Sequence, residues 1–242
     1  MFGIVRAEIL KVRHTFSFKL VFIAPISTII LGYFLGGSFF QYAAYNWWYT
    51  VILPVAVSIW CADIIKREKN TGLQNILCLG TSLEKIWVGK SIAVIIFLFA
   101  ANLLMWIGCT VLGCFTVMNI TPLNGMAGCI LLFLTYIWQV PFIMFIALKA
   151  GYLSAILLSF FANVLLFSVG VEKAWFLINP YAIPARVVCP FFAIYPNGLL
   201  LENGSPLWNT DCIFSAVVIS LTLAVFMVGS SVILFRGWGK GD

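Results

Sequence analysis

Charge is scarce in this chain. Only 9% of its 242 residues are Asp, Glu, Lys or Arg, against roughly 25% in a soluble globular domain. A water-facing surface of ordinary size is therefore excluded, and so is a sizeable soluble domain. Histidine occurs once, at His14, and no paired acids fall inside the apolar runs, which leaves no nucleophile–base constellation for intramembrane catalysis. The phosphate-loop pattern GxxxxGK[ST] is missing, so the chain does not bind ATP in that manner. The 7 cysteines form no CxxC or Cys/His cluster, and a structural zinc site is excluded with them. Cys189 and Cys212 share one inter-span segment, where pairing and simple packing both stay open, because spacing alone does not fix connectivity.

Apolar residues fill the space that charge leaves. They make up 63% of the chain, with 22 Phe and 9 Trp, and the mean hydropathy is +1.08. A helix that crosses a bilayer needs about 20 mostly apolar residues. Six segments meet that need: 18–37, 47–65, 90–114, 126–148, 151–170 and 213–235. The expected fold is an all-α integral membrane protein with six transmembrane helices in a single domain, 1–242.

The net charge of +6 is no nucleic-acid footprint, because the cations fall in short segments between apolar runs. With the N-terminus inside, 12 of the 14 Lys and Arg lie on one side, and only Lys173 and Arg186 lie on the other. That is a strong positive-inside pattern, placing both termini in the cytoplasm. Few polar groups fall at membrane depth. Asn102, Gln139 and Asn163 are the notable ones, readable as interhelical hydrogen-bonding groups or as the polar part of a translocation path. The absence of deep ionisable groups argues against ion-gradient coupling.

Three segments outside the spans carry information. In residues 1–16 no continuous apolar core precedes a cleavage site, so a signal peptide is not expected. Instead Phe2, Val5, Ile9, Val12 and Phe16 recur at helical spacing, with Glu8 and Lys11 opposite. This pattern predicts an amphipathic elbow helix lying in the interface. The outer segment 171–212 holds five prolines among short apolar pieces. It predicts short re-entrant or interfacial helices before the sixth span rather than a solvated loop. The loop 66–89 reads as soluble protein between two apolar runs. Thr71 and Gln74 have capping-box spacing, Glu68 suits the positive end of a helix dipole, and Gly80 supplies a stop. Leu73, Ile76 and Leu77 share one face. The eight-residue helix implied, about 12 Å long, is too short to stand alone and needs a docking partner.

Asp63, Arg67, Glu68, Gly72, Leu73, Ile76, Leu77, Thr81 and Lys90 together resemble the coupling-helix signature of type-2 ABC-transporter permeases. The six spans, elbow helix and long outer segment are similar to that family too. Gly80 stands where its members often carry Pro. The resemblance implies a non-catalytic permease subunit with no cofactor of its own. ATP and Mg would be bound by a separate ABC ATPase, in two copies, beside a second homologous permease or another copy of this chain. Arg67, Glu68, Gly72, Leu73, Ile76, Leu77 and Thr81 would couple the chain to that ATPase. Within the family, Tyr45-Asn46-Trp47-Trp48-Tyr49 and the segments around Glu8 and Pro25 look like the lantibiotic-immunity permeases of bacterial cell membranes, which expel lantibiotic-type peptides. The aromatic run reads equally as an interfacial belt. Another hydrophobic cargo (lipid, other peptide or drug) and a non-transporting scaffold or sensor are the alternatives.

Overall fold

The computed structural model describes residues 1–70 and 82–238. Among these residues every regular element is a helix, and the one β contact is an isolated bridge between Ile194 and Leu200. Three helical runs are long and apolar enough to cross a membrane: Phe16–Asn70, Leu83–Phe115 and Cys212–Ile233. A fourth is added if the helices Pro122–Tyr136 and Gln139–Ala150, bent by 42°, form one broken span. Large apolar side chains stay uncovered along these runs, among them Phe34, Phe115, Phe214 and Val225. Lipid is the solvent that such a surface fits.

The first run is not one rod. At 55 residues a straight helix would be about 80 Å long, far beyond a hydrocarbon core of about 30 Å. It doubles back at Gly37, whose φ of +51° lies in the left-handed region, where a side chain is strained. Helix α2 (Phe16–Gly36) descends, and α3 (Phe40–Trp47), a π turn (Trp48–Ile52) and α4 (Leu53–Asn70) return beside it. The antiparallel register shows in the contacts. Trp60 Nε1 donates to Ser17 O at 2.9 Å, Ser17 Oγ donates to Asp63 at 2.8 Å, and a Cβ on Gly32 would sit 2.5 Å from that of Ala44. The expected second span, 47–65, thus belongs to a longer helical return. The preceding residues 38–46, which fall between two expected spans, are mostly helical, and Phe40, Ala44 and Tyr45 among them are buried.

Helix α5 (Leu83–Phe115) is the central post, touching α1 (Phe2–Val12), α2, α6 (Pro122–Tyr136) and α10 (Cys212–Trp238). The expected fourth span breaks into α6 (Pro122–Tyr136) and α7 (Gln139–Ala150). Pro141 lacks an N–H and is tolerated in the first turn of a helix but not in its interior, which accounts for a restart just before it. One residue, Gly151 with φ +95°, separates α7 from α8 (Tyr152–Leu166). Helix α8 has 15 residues where twenty were expected. The segment 171–212 contains a 3₁₀ turn (Ala174–Ile178), the short helix α9 (Ala182–Phe192) and a second 3₁₀ turn (Pro206–Trp208). Helix α9 is packed on nearly every side. Its Phe192 stacks on Tyr45 at 4.2 Å and lies against Gly128, where a Cβ would overlap the ring. Helix α10 (Cys212–Trp238) ends the described chain and joins α5 through Trp87, which donates to Ser231 Oγ at 2.8 Å and lies 4.8 Å from Phe235. Cys189 and Cys212 are both free thiols.

Candidate functional site at the foot of the 71–81 loop

Gly72, Leu73, Ile76, Leu77 and Thr81, together with the capping residue Gln74, lie outside the described residues. The structure does show what carries that loop. Residues 71–81 follow the end of α4 and precede the start of α5, with α1 (Phe2–Val12) laid across the latter. Gly89 makes the crossing close: a Cβ there would be 2.6 Å from Ile4 Cγ2.

Four charges meet where these three helices touch. Lys90, only 1% exposed, donates to Glu8 Oε2 at 2.7 Å and to Glu68 Oε1 at 2.6 Å. Lys11 donates to Glu8 Oε1 at 2.8 Å and to Glu68 Oε1 at 3.2 Å. Two carboxylates and two ammoniums thus meet in one cluster that ties α1 to the end of α4 and the start of α5. A second knot lies beside it. Asp63 accepts from Ser17 Oγ and from Arg67 Nε at 3.1 Å, while Arg67 Nη1 donates to the Lys11 carbonyl at 3.1 Å. Lys66 stands 4.7 Å over the Tyr152 ring and brings α8 to the same end.

Burial alone would raise the carboxyl of Glu68. The hydrogen bonds and charges of Lys90 and Lys11 outweigh it and hold the group below the ordinary carboxylate value. Burial likewise works against the Lys11 ammonium, but Glu8 and Glu68 raise its pKa above the usual lysine value. Breaking such a buried network by removing one partner costs about 3–5 kcal/mol, because a charge is left uncompensated. The cluster therefore braces rather than reacts. Among the described residues no three His, Cys, Asp or Glu side chains are placed to hold a metal ion.

Two sequence expectations change here. Glu8 was assigned to the water side of α1. It is instead on the buried face with Val5 and Val12, because Lys90 reaches it from a helix 82 positions away. Glu68 was placed just before a new helix N-terminus. It lies in the last turns of α4, where the dipole is unfavourable and two lysines compensate. Its side chain turns into the bundle, 6% exposed. Arg67 is half-buried against Asp63.

The polar residues at depth do not converge. Asn102 accepts from Trp48 Nε1 at 3.0 Å and donates to the Leu98 carbonyl at 2.9 Å. Gln139 and Asn163 form a reciprocal amide pair at 3.2 and 3.1 Å between α7 and α8. The aromatic run divides: Trp48 and Tyr49 are buried, Trp47 is exposed, and Asn46 donates to the Pro196 carbonyl at 3.1 Å. Gln41, which drew no notice in the sequence, bridges the far end. Its Oε1 accepts from the Asn119 and Ile120 amides, both at 2.7 Å, and its Nε2 donates to Cys109 O.

The family model described as ABC-2 family transporter protein matches residues 4–166, which run from α1 through α8 and contain the whole ion cluster. The chain belongs to that family. No curated protein and no solved structure matches it. As an ABC-2 family member the chain is a transmembrane permease subunit, itself non-catalytic, and an ABC ATPase is the general partner of such subunits. The match ends before the 171–212 segment.

Proposed function

We propose that this ABC-2 permease is the membrane subunit of an ATP-driven exporter that removes lantibiotic-type peptides from a bacterial cell membrane and so confers immunity. In this reading the chain crosses the membrane six times with both termini in the cytoplasm. Two ATPase subunits serve it and a second permease, homologous or identical. The ATPase binds ATP and Mg; Leu73, Ile76 and Leu77 of this chain fill a groove on it. The observation that carries the mechanism is the Glu8–Lys11–Glu68–Lys90 cluster, buried at Glu8, Glu68 and Lys90. A loop that is to move helices must not yield at its own roots, and this network makes α1, α4 and α5 one rigid foot. Arg67 and Glu68 then contribute to coupling from inside that foot. Support for the peptide cargo comes from the residues that resemble lantibiotic-immunity permeases, Tyr45 to Tyr49 above all.

One observation favours a second reading. Between α5 and α6 lies a cavity of about 200 Å³ lined by Phe99, Leu103, Trp106, Met126, Ile130 and Phe133. Its polar neighbour Asn102 is already engaged. So small and apolar a space suits an acyl chain or a hydrophobic drug.

The test is ATPase activity of the permease co-reconstituted in nanodiscs with its candidate ATPase and sister permease, with and without lantibiotics. Stimulation by one peptide, lost in Leu77→Arg, supports the proposal. Stimulation by lipid or drug alone transfers the cargo to the second reading. Failure of any complex to form overturns the coupling role.

A further inference from the structure

Helix α1 has two faces with different partners. Val5, Glu8 and Val12 face the bundle. Phe2, Arg6, Leu10 and Arg13 recur at spacings of four, four and three, so they form a second stripe, and all four are exposed. The chain continues through exposed Phe16 and Lys19 into α2, whose Phe22, Ile23 and Ile26 are also uncovered. The local acids are engaged elsewhere: Glu8 and Glu68 hold lysines, and Asp63 holds Arg67. Among the described residues no acid pairs with Arg6, Arg13 or Lys19.

We propose that this stripe is a binding site for anionic phospholipid headgroups, held rigidly to the roots of the 71–81 loop through Glu8. The alternation of cations with large apolar side chains decides between lipid and a protein partner. Phe2 is 83% exposed and Leu10 52%, and both are continuous with the lipid-facing side of α2. Phosphate oxygens can meet the guanidiniums while Phe2 and Leu10 beside them enter the acyl boundary, with the anionic surface attracting each cation. Bound lipid then presses on a helix that cannot shift without moving Lys90. The permease should therefore respond to membrane charge at its coupling end. Only this last consequence rests on the exporter reading; headgroup binding does not.

The experiment is lipid retention by the purified full chain, measured by native mass spectrometry after exchange into mixed phosphatidylglycerol and phosphatidylcholine. The wild type should retain phosphatidylglycerol selectively, and less so as salt rises. At roughly a fivefold effect per surface cation, the triple variant R6Q/R13Q/K19Q should lose selectivity on the order of 100-fold. R6K/R13K should keep it, which separates charge from fold. Unchanged selectivity in the triple variant overturns the proposal. So does unchanged lipid selectivity accompanied by loss of ATPase capture, which would assign the face to a protein. If lipid selectivity is lost while ATPase activity of the complex ignores phosphatidylglycerol, the binding site stands and its link to coupling falls.

Discussion

The two ends of the bundle are fastened by different chemistry. At the loop end, side-chain charges on α1, α4 and α5 bond to one another in a buried cluster. At the opposite end, polar side chains bond to backbone. Gln41 holds two amides and a carbonyl, Asn46 holds Pro196, and Arg186 donates to the carbonyls of Pro206, Leu207 and Asn209 at 3.1–3.2 Å. A backbone clasp fixes the position of one chain segment. A charge cluster fixes whole helices relative to each other, and it fails as a unit when one member goes. An end that must transmit force suits the second kind of fastening, and an end that must cap the bundle suits the first.

Removal of Lys90 should do the most damage to this contrast. Lys90→Met takes from Glu8 and Glu68 the buried ammonium they share. It should destabilise the chain by about 3–5 kcal/mol, seen as a lower unfolding temperature in detergent. The far end should yield less. Arg186→Met strips a cation from three carbonyls, some of them open to water, and should cost about 2–3 kcal/mol. If it cost more than Lys90→Met, the two ends would have been ranked wrongly.

The helical runs were readable because lipid imposes a simple rule, long apolar stretches with charge at their edges. The period of α1 was readable too, but not which face is buried. Nothing local tells Glu8 that Lys90 waits on another helix. Residues 38–46 are short, uncharged and lie between two expected spans, so hydropathy gives no sign that Phe40, Ala44 and Tyr45 are core. The break before Gln139 did have a signal, Pro141, which a hydropathy window averages away. Gln41 left none, since its partners are backbone groups at Asn119 and Ile120. The face of Leu73, Ile76 and Leu77 falls outside the described residues, so that part of the site rests on its sequence pattern.

Acid and base should separate the two ends as well. Glu68 has a depressed pKa. Its contribution is present above the ordinary value of 4.5 and is lost as pH falls through the lower folded value. Lys11 has a raised pKa, so its contribution is present below 10.5 and is lost as pH rises through the higher folded value. Unfolding of Glu68→Gln should therefore depend less on pH on the acid side than unfolding of the wild type, whereas Gln41→Leu should leave that slope intact. A smaller effect is expected midway between the ends. Asn163→Leu leaves Gln139 without its amide partner and should cost about 1 kcal/mol, partly recovered in Gln139→Leu/Asn163→Leu.

The most direct measurement is ATP-driven export against ATP hydrolysis in the reconstituted complex, comparing wild type with Glu8→Gln. Glu8 lies far in sequence from residues 71–81, and among the described residues its carboxylate bonds to Lys90 and Lys11. If the cluster transmits loop motion, Glu8→Gln should assemble with the ATPase and hydrolyse ATP while export falls at least tenfold. Export that stays proportional to hydrolysis in Glu8→Gln would contradict that role and leave the cluster as a fold support alone.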